Sequence, residues 1–276
     1  MEKSKIKKTI QFLSSPKTFL QEQREKYLSD IMSENFLVPI NQTSDDDIFI
    51  VGFPKSGNTW MQSIISGLIY GIDTQYLSDS LAQSIVPDVH ARSVYTRFGY
   101  INFFKSHHLP QLNYKNVIYL VRDGRDVMVS YFAYNKNLGI NITLEEMVKE
   151  GKGIFPSKWH EHVLSWAKNP HNARIIVIKY EDLLNSPIAT LKSICTFSNI
   201  DRTDEQLEKI VNGNTIEQMR KKAKRYNGMG HKNWKGEKAQ KFFRKGKIGS
   251  HHEEMSTKLI EYFNVEAKEA LLLMGY

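Results

Sequence analysis

A single cysteine, Cys195, is all the thiol chemistry in this chain of 276 residues, so no intrachain disulfide can staple it. Stability must come from a packed core, as expected of a protein in a reducing compartment. Long apolar runs are missing too. None approaches the roughly 20 residues that a membrane-spanning helix needs, and the basic start Met1-Glu2-Lys3-Ser4-Lys5-Ile6-Lys7-Lys8 leads into no apolar signal region. A cytoplasmic protein with no stable membrane insertion is expected. No Pro/Gly/Ser-rich linker, internal repeat or low-complexity stretch divides the chain, which at this length reads as one globular domain. Acidic residues are scarce in one place. Residues 220–247 hold twelve Lys/Arg against one acid, Glu237, leaving the rest of the chain at −3 within a total of +8. That segment is a solvated basic face, a polyanion-binding surface, or a cover over a multiply charged small ligand.

What is present begins with a glycine loop. Gly52-Phe53-Pro54-Lys55-Ser56-Gly57-Asn58-Thr59 has the glycine spacing of a phosphate-binding P-loop. The lysine that normally precedes the final Ser/Thr and reaches a triphosphate is replaced by Asn58, and the charge sits at Lys55 instead. The loop can still cradle an anionic nucleotide end, but it is poorly built for a triphosphate.

Asp47-Ile48-Phe49-Ile50-Val51 reads as a buried parallel strand entering that loop, and helical spacing follows from Thr59 to about Tyr70. A strand, a glycine loop and a helix aim free N–H groups at an anion. Three more strands are expected. They are Tyr100-Ile101-Asn102-Phe103-Phe104 before Lys105-Ser106-His107-His108, residues 116–121 before Arg122 and a helix near 127–135, and residues 173–178 before Lys179-Tyr180. Residues 1–46 read as mixed helix and loop and 254–273 as a closing helix. The pattern predicts an α/β fold, a P-loop-like parallel sheet with helices on both faces. Ligands in such sheets bind beyond the carboxyl ends of the strands, where Lys55, His107, Arg122 and Tyr180 all fall.

The motifs resemble a family. The loop Gly52 to Trp60 is similar to the 5′-phosphosulfate loop of the cytosolic-type sulfotransferases. The run from Val117 through Arg122-Asp123-Gly124-Arg125-Asp126 to Ser130-Tyr131 resembles their 3′-phosphate segment. Trp159-His160-Glu161-His162-Val163-Leu164-Ser165-Trp166, Lys179-Tyr180-Glu181-Asp182-Leu183 and Phe243-Arg244-Lys245-Gly246-Lys247-Ile248-Gly249 look like later landmarks in the same order, so the likeness spans roughly 47–250. It implies a sulfotransferase domain over 47–276, behind an N-terminal segment 1–46. The implied activity is in-line transfer of a sulfuryl group from 3′-phosphoadenosine-5′-phosphosulfate (PAPS) to a hydroxyl or amine. No metal, nucleic-acid or membrane partner is implied.

The resemblance also implies roles. Lys55 would stabilise charge on the bridging oxygen, with Ser56, Gly57, Asn58 and Thr59 holding the 5′-phosphate. Arg122 and Ser130, with Arg244, Lys245 and Gly246, would hold the 3′-phosphate, which makes the basic segment a lid. Trp60, Tyr180 and the segment containing Thr215 would border adenine. A Lys-[Ser/Thr]-His sequence supplies the base: counting from Lys105 it is His107, counting back from Leu109-Pro110 it is His108, and the strand register favours His107. Lys105 would stabilise the non-bridging sulfuryl oxygens.

The chain departs from the pattern in three places. Ile216 stands where many members have an aromatic, Ser250-His251-His252-Glu253 replaces Asp-Trp-Lys, and no dimerisation motif is evident near the C-terminus, so oligomeric state is open. His160-Glu161-His162 and His251-His252-Glu253-Glu254 lack the spacing of a zinc-binding helix. Tyr95, Phe98, Tyr100, Phe132, Tyr134 and Phe155 are candidate linings for an apolar or aromatic acceptor, or simply core. A P-loop nucleotide kinase and a nucleic-acid-binding protein remain the competing readings.

Overall fold

In the computed structural model, the described residues are 15, 16, 19, 20, 36–97, 99, 101–226 and 242–276. Four strands form one parallel sheet in the order β4-β2-β5-β6: β2 (Ile48–Gly52), β4 (Phe103–Ser106), β5 (Asn116–Val121) and β6 (Arg174–Lys179). The short β1 (Leu37–Pro39) and β3 (Val94–Thr96) pair antiparallel apart from it. Every residue of β2 is buried, and so are five of the six in β5. Central parallel strands covered on both faces require such unbroken apolar runs.

Because successive strand side chains point to opposite faces, β2 and β5 feed two separate cores. Phe49, Val51, Val117, Tyr119 and Val121 enter one, with Val127, Trp159, Val163 and Phe263. Ile48, Ile50, Ile118 and Leu120 enter the other, with Met61, Ile64, Leu68, Leu191 and Leu207. The helices are α1 (Asn58–Tyr70), α2 (Asp79–Ile85), α3 (Gly124–Asn137), α4 (Leu144–Glu150), α5 (Trp159–Lys168), α6 (Tyr180–Asn185), α7 (Pro187–Ser198), α8 (Asp204–Gly213) and α9 (Ile216–Arg225). The last three are α10 (His251–Glu254), α11 (Thr257–Glu266) and α12 (Lys268–Met274).

The register brings the functional ends together. Val51 pairs with Ser106, Gly52 with Leu120, and Val121 with Lys179. The residues that follow each strand therefore emerge along one edge.

Four expectations are corrected. The second strand runs from Phe103 to Ser106 and so carries Lys105 itself. Asn102 stands outside it, its N–H held by the Asp47 carboxylate at 2.9 Å, while Tyr100 and Phe98 lie outside the described residues. Asp47 does not open β2, because its carboxylate also accepts from the Ser44 N–H and from Arg97. Residues 37–39 form a strand rather than helix or loop, and most of 1–46 lies outside the described residues. The closing helix is three pieces: Ser256 caps a new start with its hydroxyl on the Leu259 N–H, and the backbone leaves helical geometry again at Ala267 (φ −97°). Of the basic segment, 227–241 lie outside the described residues.

Candidate active site

One cavity of about 1390 Å³ opens at the carboxyl edge of the sheet. Lys55, Gly57, Asn58, Thr59, Trp60, Lys105, His107, Arg122, Ser130, Tyr180, Thr215, Arg244, Lys245 and Gly246 all line it. Ser56 lies beneath, wholly buried, its hydroxyl without a partner.

The loop owes its shape to left-handed backbone at Lys55 (φ 73°) and Gly57 (φ 103°). A Cβ at Gly57 would stand 2.9 Å from the Tyr180 ring, so glycine is required by both conformation and space. Asn58 donates to the Phe53 carbonyl at 2.9 Å and closes the loop on itself. Gly57 gives the 13-residue α1 no side-chain cap, which leaves the first N–H groups of that helix to a ligand. The Lys55 Nζ sits 4.5 Å from the Tyr134 ring centre and 4.3 Å from that of Phe242. Burial, then the charges of Lys105, Arg122 and Arg244, push its pKa down to about 7.

The second strand end carries the titratable pair. His107 Nδ1 lies 2.7 Å from the Gly52 carbonyl, which can only accept, so Nδ1 bears the proton and Nε2 keeps its lone pair. Burial and the neighbouring Lys105 push the His107 pKa down to about 3, so the ring is neutral. His108 turns away from the cavity to Tyr114, with Nδ1 3.1 Å from the phenol oxygen. Lys105 is buried and held by Asp88 at 2.7 Å. Burial would raise the Asp88 pKa, but Lys105, His107 and the His90 N–H outweigh it and hold the group below its usual range. His90 in turn accepts the His107 backbone N–H on Nε2 at 3.0 Å.

Arg122 is buried, stacked 4.4 Å over Tyr180, and its Nε has no partner. Its Nη2 donates to the Lys247 carbonyl at 3.1 Å, and Ser130 lies two helical turns further along α3. Trp60 donates to the Asn214 carbonyl at 2.7 Å and meets Tyr180 edge-on at 5.4 Å, so two aromatic surfaces border the cavity. The Thr215 hydroxyl is engaged as the N-cap of α9. Ile216 closes on Gly246 (φ 65°), where a Cβ would meet its side chain at 2.9 Å. Arg244 pairs with Glu254 and Lys245 with both Glu253 and Glu254.

The candidate acceptor linings divide. Tyr134 and Phe155 line the cavity, as do Tyr131 and Phe242. Tyr95 is core, its hydroxyl on the Gln42 carbonyl, and Phe132 packs against the same core. Of the other histidine pairs, His162 is buried 2.9 Å from the Tyr119 hydroxyl and His251 contacts Asp126 at 2.8 Å. Asp88, His90, Asp126 and His251 were not selected from the sequence as site residues. Asp88 and His90 lie in no motif, and although Asp126 and His251 fall in quoted segments, nothing local pairs them, since each acts on a partner far along the chain.

A glycine loop at an uncapped helix start, buried cations at the strand ends and two aromatic rings give this α/β protein a cavity suited to a phosphorylated ligand, beside a neutral imidazole. The family model described as the sulfotransferase domain matches residues 45–275, and the chain belongs to that family. Cytosolic sulfotransferase 13 of Arabidopsis thaliana is 28% identical over 263 residues, covering 84% of this chain and 78% of the relative. Amine sulfotransferase of Oryctolagus cuniculus is 26% identical over 239 residues, covering 80% and 79%. The solved structure of a mouse sulfotransferase complexed with PAP superposes with a TM-score of 0.63 at 22% identity, covering 83% of this chain and 86% of that one, which establishes the shared fold.

Proposed function

We propose that this sulfotransferase uses PAPS as donor and His107 as general base toward a hydroxyl or amine on a small, apolar or aromatic acceptor. The observation that carries this reading is His107 fixed by Gly52 as the Nδ1–H tautomer, in the same cavity wall as Lys55 and Lys105. A neutral imidazole with a free Nε2 takes the proton that the acceptor loses as its oxygen or nitrogen bonds to sulfur. The donor supplies an activated sulfur whose bond to the 5′-phosphate oxygen breaks in the same step.

The residues present fit such a donor. The Ser56 hydroxyl and Arg122 Nε are buried polar groups without partners, and Gly57 lets the Tyr180 ring pack against the loop. Lys55 and the α1 N-terminus offer positive potential to the 5′-phosphate and to the charge that grows there during transfer. Arg122 and Ser130, with Arg244 and Lys245, would take the 3′-phosphate, and Trp60 and Tyr180 the base. Lys105 would steady the sulfuryl oxygens. Tyr131, Tyr134, Phe155 and Phe242 would bound the acceptor. Amines belong in the acceptor screen, given the name of the rabbit relative. A cytosolic location is part of the same reading, supported by the single cysteine and by the class of the plant relative. Among the described residues no helix is long and apolar enough to cross a membrane.

Calorimetry with adenosine 3′,5′-bisphosphate, ATP–magnesium and a short oligonucleotide tests the donor. Tight bisphosphate binding is expected. Tight ATP binding without bisphosphate binding would return the chain to the kinase reading, and salt-sensitive oligonucleotide binding alone to the nucleic-acid one. Labelled PAPS with a panel of phenols, alcohols and amines then identifies the acceptor class.

A further inference from the structure

The 3′-phosphate residues come from two places far apart in the chain, Arg122 after β5 and Arg244-Lys245-Gly246 near the C-terminus. Something must hold the second group over the first, and Asp126 touches both Arg122 and the chain just past that group, at Gly249 and His251. Its Oδ2 accepts the Gly249 backbone N–H at 2.8 Å, and its Oδ1 accepts the His251 backbone N–H at 2.9 Å. The His251 ring donates from Nδ1 to the same Oδ1 at 2.8 Å. Arg122 Nη2 stands 3.5 Å from Oδ2 and donates to the Lys247 carbonyl. Asp126 is fully buried and His251 is 3% exposed.

We propose that Asp126 and His251 are positioning residues that latch the basic 244–249 segment onto Arg122 and so set the affinity for the 3′-phosphate of the donor. This inference rests on the donor reading above. Two of the three donors to Asp126 are backbone N–H groups that any sequence could supply. The ring Nδ1–H is not: it requires a side chain with a donor at this place, and this chain has histidine where the Asp-Trp-Lys common in the resembling family has tryptophan. A charge-assisted hydrogen bond to a buried carboxylate is among the stronger contacts available to a side chain. With this anchor lost, the segment keeps its pairs to Glu253 and Glu254 and the Arg122 contact at Lys247, but the ordering that the latch supplied falls to the ligand and would appear as weaker binding.

Calorimetry on the intact protein compares adenosine 3′,5′-bisphosphate with adenosine 5′-monophosphate for wild type, His251→Phe and His251→Asn, with thermal melts reporting folding. His251→Phe keeps ring volume and removes the donor. Bisphosphate binding should weaken about tenfold, the scale of one lost charge-assisted contact, while monophosphate binding stays within about twofold. His251→Asn, whose side-chain N–H can reach a carboxylate, should regain most of the loss. His251→Leu, also without a donor, serves the same purpose if the phenylalanine variant does not fold. Equal losses for both ligands, or no loss for either, would overturn the latch. Wild type that fails to bind the bisphosphate at all would overturn the donor reading, and the latch with it.

Discussion

Replacing Asp88 by alanine should destabilise the protein far more than a typical surface change. Asp88 and Lys105 are 5% and 4% exposed, and their charged atoms meet at 2.7 Å. Asp88 also accepts the His90 backbone N–H at 2.9 Å. Removing one member of a buried pair leaves the other charge without compensation, which costs about 3–5 kcal/mol. For a domain of this size that lowers Tm by about 6–12 °C. Urea unfolding followed by tryptophan fluorescence measures the cost directly, provided the transition is two-state. The folded pKa of Asp88 is depressed below 3.8, so its contribution is present above that pH and fades as pH falls through the lower folded value. The difference between wild type and Asp88→Ala should therefore shrink below about pH 3.8. The double variant Asp88→Ala/Lys105→Met removes the stranded charge and should recover most of the stability, a coupling that a double-mutant cycle isolates. Activity should not recover with it, because Lys105 lines the cavity beside His107. A single-variant cost under 1 kcal/mol, or a double variant no more stable than Asp88→Ala, would refute the argument that this pair is buried and mutually dependent.

Two further outcomes are expected. His107→Ala should lower kcat by roughly 10²–10⁴, the usual worth of a general base, with bisphosphate affinity nearly unchanged; His108→Ala should stay within a few-fold of wild type, and the reverse pattern would move the base to His108. Lys55, depressed to about 7, is increasingly neutral above that pH in the free protein, so binding of an anionic nucleotide must draw a proton back onto it. Bisphosphate affinity should thus fall as pH rises from 7 to 9, by up to about tenfold per unit. Calorimetry at pH 8 in buffers of different ionisation enthalpy should show uptake approaching one proton, and Lys55→Met should flatten both effects. A slope shared by wild type and variant would assign the proton to another group.

Much of the site was legible because it is built from strand ends. Once residues 48–52, 103–106, 116–121 and 174–179 are parallel neighbours, Lys55, His107, Arg122 and Tyr180 must emerge on one edge, and short unbroken apolar runs bounded by polar residues announce such strands. Strand limits were less legible. The strand carrying Lys105 begins at Phe103 because Asp47, 55 residues earlier, captures the Asn102 N–H. No local pattern encodes a contact of that range. The closing helix was overrun for a different reason, since helical propensity continues across Ser256 and the hydroxyl cap that divides it is a geometric event.

The sequence by itself determined the class of chemistry. A phosphate loop with its lysine at Lys55, an arginine after the third strand of the sheet and a late basic run are one-dimensional signals, because each contact they imply is made by a residue beside its own motif. Tertiary structure decided which histidine faces the cavity, since only the packing of β4 beside β2 puts His107 against the Gly52 carbonyl and leaves His108 to Tyr114. It also decided what holds the charges in place. Asp88 reaches Lys105 from 17 residues away, and Asp126 reaches His251 from 125. Buried charges must find partners wherever the fold supplies them, and that choice is written in the packing rather than in the motif.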